Sequence, residues 1–393
     1  MPIITDPKKI DGVLRKNVEA VYPNFELLKK KMMSGKKLRL YCGFDPSASF
    51  FHLGNLAILT KLSEFQKLGH EVIMLIGDFT GMIGDPTGKK AARKKMSRKE
   101  VVKNAGSYKN IAAKIINFQG SNPAKVLYNS NWLDKISFAS LIELASNFTV
   151  QQMIVRDMFQ ERIKQKKPIY LHEFFYPLAQ AYDSIAMDVD LEIGGSDQIF
   201  NMLCGRDLMK ALKKKEKFVL AIKLLIDLSG KKMGKTEGNA IGITAKPAEL
   251  RRKIMTMDDS LIAPVFESCT DVLDKEIKSL NPISDKEKLA DIIVTKLYGK
   301  QEAEKTRKEF NRVFIEKKLP SEISTVKIKE KSLSILDLLV RAKLTPTKSE
   351  AKRLILQKGI KINGEIQDDW KKSVEIKKGM VVQVGKEKFV KII

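Results

Sequence analysis

The run EVIMLIGDF at 71–79 constrains this chain more than any other stretch. A strand that apolar has to be covered on both faces, which is the mark of a parallel sheet with helices above and below it. The neighbouring segments continue the pattern. LRLYCGF at 38–44 is apolar enough for a second buried strand, and 53–69 places Leu56, Leu59, Leu62, Phe65 and Leu68 at helical spacing before Gly69 stops it. A helix over 99–118 and a short strand, VLYNS at 126–130, come next. Strand, helix, strand, helix, strand predicts a parallel α/β sheet. Three helical stretches fill 138–188, a strand at 189–193 leads into GGSDQ and a helix over 196–212, and a strand at 218–226 closes this part.

The remainder is organised differently. Residues 245–315 read as helices only, with Lys/Glu pairs on their exposed faces, and 316–332 lack apolar periodicity and read as a linker. The block 333–393 opens with two short helices, 333–343 and 347–357, and turns to short strands around 360–362, 374–376, 380–384 and 389–392. With 393 residues the chain has room for two to three domains, and the expected division is 1–240, 241–315, a linker at 316–332, and 333–393. No internal repeat is visible.

Charge narrows the partners. Lys and Arg total 72 against 47 Asp and Glu, a net of +25, which favours a polyanion such as nucleic acid, a nucleotide or an acidic membrane, although a lysine-rich solvated surface gives the same sum. No apolar run approaches the roughly 20 residues of a membrane span. The start, MPIITDPKKIDG, carries Asp6 and Asp11 and lacks the apolar core of a secretory signal. The expected compartment is the cytoplasm. Cys42, Cys204 and Cys269 form no CxxC pair and read as reduced thiols rather than a disulfide framework or a zinc site.

Three motifs carry chemistry. In YCGFDPSASFFHLGN at 41–55 a strand ends, Pro46 turns the chain, and His52-Leu53-Gly54-Asn55 opens a helix. Unpaired backbone N–H groups and the helix dipole make that a natural phosphate site. His52 and Asn55 are hydrogen-bond donors there, and Gly54 admits a flat group close to the backbone. By itself the tetrad also reads as a capped helix with a surface histidine. The second motif, Lys231-Lys232-Met233-Gly234-Lys235-Thr236, suits a mobile clamp on a triphosphate, or a solvated basic turn. The third, Ile193-Gly194-Gly195-Ser196-Asp197-Gln198, lies where a strand meets a helix, the expected ligand position in a doubly wound sheet. Asp197 there can take ribose hydroxyls, or simply cap the helix.

Taken together, the HLGN and KMGKT motifs with GGSDQ between them resemble the class I aminoacyl-tRNA synthetases. TGMIGDPTGKK at 80–90 and FFYPLAQAYDS at 174–184 narrow the resemblance to the bacterial-type tyrosyl-tRNA synthetases, over essentially the whole chain. The resemblance implies a Rossmann-like parallel-sheet catalytic domain, an all-helical domain on the tRNA anticodon side, and a small α+β RNA-binding module. It also implies a homodimer in contact through about 120–165. The substrates it implies are L-tyrosine, ATP and tRNA(Tyr), with Mg2+ arriving on the nucleotide and no zinc.

Residue roles follow from the same resemblance. Tyr41 and Asp183 match the pair that contacts the substrate phenol, where a hydroxyl and a carboxylate can donate and accept. Asp85, Tyr176 and Gln180 match ligands of the substrate ammonium. Gln198 matches a residue near the reacting carboxylate, Gly195 and Asp197 match ribose contacts, and Asp45 matches a residue bordering the nucleotide. Lys89 and Arg93, in a run at 89–99 with seven basic residues and no acid, match residues that hold pyrophosphate. Two departures stand out: Asn55 where many members have histidine, and Gly234 and Thr236 where many have serine. The last block holds 15 Lys and Arg against 7 Asp and Glu over 331–393. Its TKSEAKRLILQKGIKINGE, 347–365, resembles a small RNA-binding module, with Lys348, Lys352 and Arg353 near one helix face; a basic capping domain is the plainer reading. The rival functions are a tryptophanyl-tRNA synthetase, disfavoured because an indole has no use for both Tyr41 and Asp183, and a non-enzymatic RNA-binding or splicing factor, disfavoured by the lysines of KMGKT.

Overall fold

The apolar runs become strands, and the period-two alternation of their side chains divides the core. A computed structural model describes residues 1–88, 95–234, 238–272, 281–385 and 388–393. Strands β1 (Val18–Tyr22), β2 (Arg39–Phe44), β3 (Glu71–Ile76), β4 (Lys125–Tyr128), β5 (Leu191–Gly195) and β6 (Phe218–Ile222) form one sheet in the order β1-β6-β5-β2-β3-β4. All neighbours are parallel except β1, which pairs antiparallel with β6 at the edge. Leu40, Cys42, Phe44, Val72, Met74 and Ile76 bury against Leu53, Leu56, Leu59 and Leu62 of helix Leu53–Lys67. Tyr41, Ile73 and Leu75 point to the other face, where Met187 and Val189 meet them. The parallel α/β sheet is therefore present as expected.

The topology opens a crevice. β2 and β5 pair only at Leu40–Leu191 and Tyr41–Glu192 and then diverge, whereas β2 and β3 stay in register from Arg39–Glu71 to Phe44–Ile76. Beyond Tyr41 the sheet is split at its carboxyl edge, at the point where the strand order changes direction, and this is where open α/β sheets bind ligands.

Several boundaries differ from expectation. β1 was not anticipated: VEAVY is short, only partly buried and lacks a long apolar run. The stretch 99–118 gives two short helices, Arg98–Ala105 and Tyr108–Ala112, separated at Gly106, and the strand begun at 218 ends at Ile222. The core shows no break at residue 240. Helices Pro247–Met255, Ile262–Cys269 and Pro282–Tyr298 contribute Leu250, Ile254, Val265, Leu289 and Ile293 to the same core as Leu53 and Leu56. Lys296 Nζ donates to Thr60 Oγ1 at 3.1 Å, tying the helical part to helix Leu53–Lys67.

The chain forms two compact units, Met1–Ala303 and Glu304–Ile393. In the second, helices Ile335–Arg341 and Lys348–Leu356 pack with a five-stranded sheet around Ile335, Leu338, Ile355, Val382 and Ile392. The stretch 316–332 is not a bare linker. Strand Ser324–Val326 pairs parallel with Lys388–Ile392, and Val326 and Ile328 pack on this core. A three-residue edge strand held only by its partner leaves no periodicity to read.

The helix that carries much of the candidate site, His172–Met187, is fixed at its start by a buried ion pair. Arg162 Nη2 and Nη1 lie 2.6 and 3.1 Å from the two oxygens of Glu173, and Tyr170 N donates to the same carboxylate at 2.9 Å. Removing one partner of such a pair strands a buried charge, whereas removing both does not. Arg162→Met is expected to lower unfolding free energy by about 3–5 kcal/mol, and Arg162→Met with Glu173→Leu by clearly less. Urea titration at one protein concentration checks this, and equal losses would refute it.

Candidate active site

The crevice between β2 and β5 holds a cavity of about 220 Å³. Tyr41, Asp45, Asp85, Tyr176, Gln180, Asp183, Gly195 and Gln198 all line it, together with Cys42, Thr80, Asn129, Glu192 and Met202. Residues spread from 41 to 202 in sequence meet here because every parallel strand delivers its carboxyl end to the same edge.

At the inner end, Tyr41 is fully buried and its hydroxyl lies 3.0 Å from Ser184 Oγ. Burial, reinforced by Glu192 and Asp183, pushes its pKa well above the ordinary tyrosine value, so it stays a neutral phenol. Asp183 is equally enclosed and accepts from Trp132 Nε1 at 2.7 Å and Asn129 Nδ2 at 3.2 Å. Burial pushes its carboxyl well above the usual carboxylate range, and these two donors oppose the rise. The end wall thus offers one neutral hydroxyl and one carboxyl group, an acceptor and donor set suited to a buried O–H.

The mouth has its own network. Asp45 accepts from Thr80 Oγ1 at 2.7 Å and from Tyr176 Oη at 2.9 Å. Asp85 accepts from Thr87 Oγ1 at 2.6 Å and Gln198 Nε2 at 2.8 Å, and Arg156 Nη2 donates to Thr87 Oγ1 at 2.6 Å. Gln180 Nε2 donates to Glu192 Oε1 at 2.9 Å. Asp85, Tyr176 and Gln180, read as one ligand set, therefore share the cavity but each is held by a different neighbour.

The three motifs converge around this cavity. His52 caps helix Leu53–Lys67: its Nδ1 accepts from Gly54 N at 3.1 Å, which places the proton of the neutral ring on Nε2. Asn55 Oδ1 accepts from His52 N at 3.0 Å, so what Asn55 can give a substrate is its NH2 group. Gly54 is needed for a reason the sequence did not show: a Cβ there would lie 2.9 Å from the folded-back His52 ring. Residues 241–243 run antiparallel beside this motif, with Leu53 N donating to Ile241 O at 3.1 Å and Ile243 N to Phe51 O at 2.8 Å. The preceding basic loop is thereby anchored next to HLGN. Asn239 holds the loop closed, accepting from Gly234 N at 3.0 Å. Lys232 Nζ lies 2.9 Å from Asp197 Oδ2, so the expected phosphate ligand and the expected ribose ligand are partners of each other. Lys235, Thr236, Lys89 and Arg93 lie outside the described residues.

Sequence reasoning missed Asn129, Trp132, Glu192, Lys217, Arg156 and Asn239. The available signal was a charge inside an apolar strand: Glu192 interrupts the buried run Leu191–Gly195. The three cysteines are free and buried, and burial pushes Cys204 up to about 12 and Cys269 to about 11, so they are poor nucleophiles. Among the described residues no cluster of three or more His, Cys, Asp and Glu is placed to hold a metal, and no helix is long and apolar enough to cross a membrane.

In the second unit Lys348 Nζ pairs with Asp337 at 2.6 Å, Lys352 Nζ stands 3.9 Å over the Trp370 ring, and Arg353 is exposed. Lys371 Nζ also approaches that ring, at 5.4 Å. The expected basic trio is thus divided between an ion pair, an aromatic contact and solvent.

Comparison with known proteins agrees with this geometry. Residues 33–315 match the family model described as tRNA synthetases class I (W and Y), and residues 315–392 match the tyrosine–tRNA ligase SYY-like C-terminal domain. The tyrosine–tRNA ligase of Aquifex aeolicus is 39% identical over 98% of this chain and 99% of its own length. That of Moorella thermoacetica is 40% identical over 97% and 94%. Among solved structures, a C-terminally truncated mitochondrial tyrosyl-tRNA synthetase from Aspergillus nidulans superimposes with a TM-score of 0.64 at 20% identity, covering 78% of this chain and 94% of that one. The L-tyrosine complex from Archaeoglobus fulgidus gives 0.59 at 22% identity, over 76% and 98%. These last two speak to the fold alone. The family model leaves tryptophan and tyrosine enzymes together, and the full-length relatives separate them: this chain belongs to the class I aminoacyl-tRNA synthetases, in the tyrosine–tRNA ligase family.

Proposed function

We infer that the chain joins L-tyrosine to tRNA(Tyr) at the expense of ATP, through a tyrosyl-adenylate. The observation that carries this is the enclosed Tyr41–Asp183 end wall, a hydroxyl and a carboxyl group at the bottom of a cavity in the β2–β5 crevice. The test is pyrophosphate exchange by the purified chain, which should depend on tyrosine and be silent with tryptophan or without an amino acid.

In the first step the tyrosine carboxylate attacks the α-phosphorus of ATP, forming the mixed anhydride and expelling pyrophosphate. In the second, a terminal ribose hydroxyl of the tRNA attacks the activated carbonyl and AMP leaves. Each substrate brings its own nucleophile, so the protein's task is positioning and charge stabilisation. Tyr41 and Asp183 take the phenol. Asp85, Tyr176 and Gln180 surround the ammonium, with Gln198 beside the carboxylate. Asp45, Gly195 and Asp197 border the nucleotide. His52 Nε2–H and the Asn55 NH2 face the phosphates from the helix start, joined by Lys232, Lys235 and Thr236 of one loop and Lys89 and Arg93 of the other.

The Lys232–Asp197 pair, only half-buried, is weak enough to exchange partners. When Lys232 turns to the phosphates, Asp197 is released for the ribose. Magnesium arrives on the nucleotide: Asp45 carries hydrogen bonds on both oxygens and Asp197 is paired, so these residues form a rim of oxygen donors rather than a cage. The compartment is the cytoplasm, where the buried thiols stay reduced; recovery of the protein in another cell fraction would refute that.

The homodimer reading draws support from the region about 120–165, which exposes Phe138, Ile142, Val150 and Val155, with Phe138 78% exposed. Phe138→Glu is expected to shift the mass in solution from dimer to monomer by light scattering; a wild-type monomer would dispose of this reading. The second unit takes the tRNA through its basic surface, with Trp370 and its flanking lysines as a platform for a base.

Two kinetic outcomes follow. Lys232→Ala should slow single-turnover adenylate formation at saturating ATP by about 10²-fold or more while tyrosine affinity holds, because the charge is used as pyrophosphate departs. An unchanged rate would remove Lys232 from the chemistry. A chain ending near residue 320 should retain pyrophosphate exchange but charge tRNA with a raised KM, and the deficit should depend on salt. Unimpaired charging would make the second unit a passive appendage.

A further inference from the structure

Behind the cavity wall lies a cation that the roles above leave unused. Lys217 is fully buried just before β6 and pairs with Glu192. Its Nζ also donates to Met202 O at 3.1 Å and stands 5.9 Å from the centre of the Tyr41 ring. The space it occupies is built for it. Helix Ile199–Lys213 presents Gly205 at this point, and a Cβ there would lie 2.5 Å from Lys217 Nζ and 2.9 Å from Ser184 Oγ.

The neighbourhood explains why a cation is needed. Asp45, Asp85, Asp183 and Glu192 all line the cavity, and among its described lining residues there is no lysine or arginine. Glu192 spends one oxygen on Lys217 and the other on Gln180 Nε2. An ionised carboxylate only accepts hydrogen bonds, so it binds the nitrogen end of the Gln180 amide and turns the oxygen end the other way.

We propose that Lys217 is a positioning residue for amino-acid recognition. By engaging one oxygen of Glu192 it aims the other at Gln180 Nε2, and so fixes the Gln180 amide with its oxygen, and not its NH2, toward the substrate ammonium. The inference rests on the reading of Gln180 as an ammonium ligand, and it adds a specificity element acting from outside the pocket.

The test uses the full chain and three ligands measured through pyrophosphate exchange: L-tyrosine as substrate, and two inhibitors competing with it. Tyramine has the ammonium without the carboxylate, and 3-(4-hydroxyphenyl)propanoate has the carboxylate without the ammonium. Lys217→Met should weaken tyrosine and tyramine about tenfold, the worth of a hydrogen bond to a charge, and leave the propanoate unchanged. Gly205→Ala drives the ammonium from its slot and serves if Lys217→Met does not fold; because it also crowds Ser184 Oγ, the partner of Tyr41, it is read by the ratio of the tyramine to the propanoate inhibition constants, which should rise as it does in Lys217→Met. Adding Glu192→Gln to Lys217→Met should leave tyrosine about tenfold weakened, because a neutral amide can donate as well as accept and so selects neither end of Gln180; recovery of tyrosine to the wild-type level overturns the proposal. Uniform weakening of all three ligands, or no change in any, overturns the proposal. Gln180→Ala separates the two levels. If it weakens tyramine while Lys217→Met does not, only the Lys217 role fails; if it spares tyramine, the ammonium reading fails and this inference with it.

Discussion

A carboxylate taken out of water must be met by donors or surrender its charge, and this pocket encloses several of them. Much of its construction answers that constraint. Asn129 and Trp132 come from the end of β4 and the turn after it to meet Asp183. Thr80 and Tyr176 converge on Asp45 from either side. Lys217 reaches Glu192 through the gap left at Gly205. A site for a zwitterion and a polyphosphate needs acidic groups for the ammonium and phenol, yet it must not repel the phosphates. Asp183 and Glu192 lie deep and Asp45 and Asp85 half-buried at the mouth, each with its own donors, while Lys232 stands on a loop beside Asp197.

The same division separates rigid from movable parts. Of the residues proposed for the phenol and ammonium, Tyr41 stands on β2 and Tyr176, Gln180 and Asp183 on the helix His172–Met187, whose first turn is clamped by Arg162–Glu173. Of those proposed for the phosphates, His52 and Asn55 stand at a helix start and Lys232 on a loop. Binding the side chain of the amino acid requires fixed geometry, because discrimination depends on leaving the wrong substrate's partners unpaired. Following a departing pyrophosphate requires movement, which a lysine on a long stem and an exchangeable ion pair provide.

Recognition of the site depended on how local each signal was. HLGN, GGSDQ and KMGKT are contiguous strings at the ends of strands and the start of a helix, and Tyr41, Asp85, Tyr176, Gln180 and Asp183 sit in quotable segments. Of these, Tyr41, Asp85, Tyr176, Gln180 and Asp183 line one cavity, with Gly194, Gly195 and Gln198 of GGSDQ. Asn129, Trp132, Lys217 and Arg156 lie in segments with no comparable signature, and nothing local distinguishes Lys217 from the three other lysines and the glutamate around it at 213–217. The linker reading of 316–332 missed for a related reason: three residues paired at a sheet edge carry too little pattern to be seen.

The sequence by itself determined the α/β class of the first part, because an apolar run such as 71–76 has no stable place except between two layers of helix. It pointed to where phosphate and amino-acid chemistry is expected, because turn glycines, helix starts and lysine loops are local features. Only the tertiary structure decided which polar group answers which. Hydrogen bonds and ion pairs act over about 3 Å, and the partners here lie far apart in the chain, 131 residues for Tyr176 and Asp45 and 143 for Tyr41 and Ser184. It also decided that the helices after residue 240 share one core with the sheet, since burial is a property of the folded surface and a helix's apolar face does not name the element that will cover it.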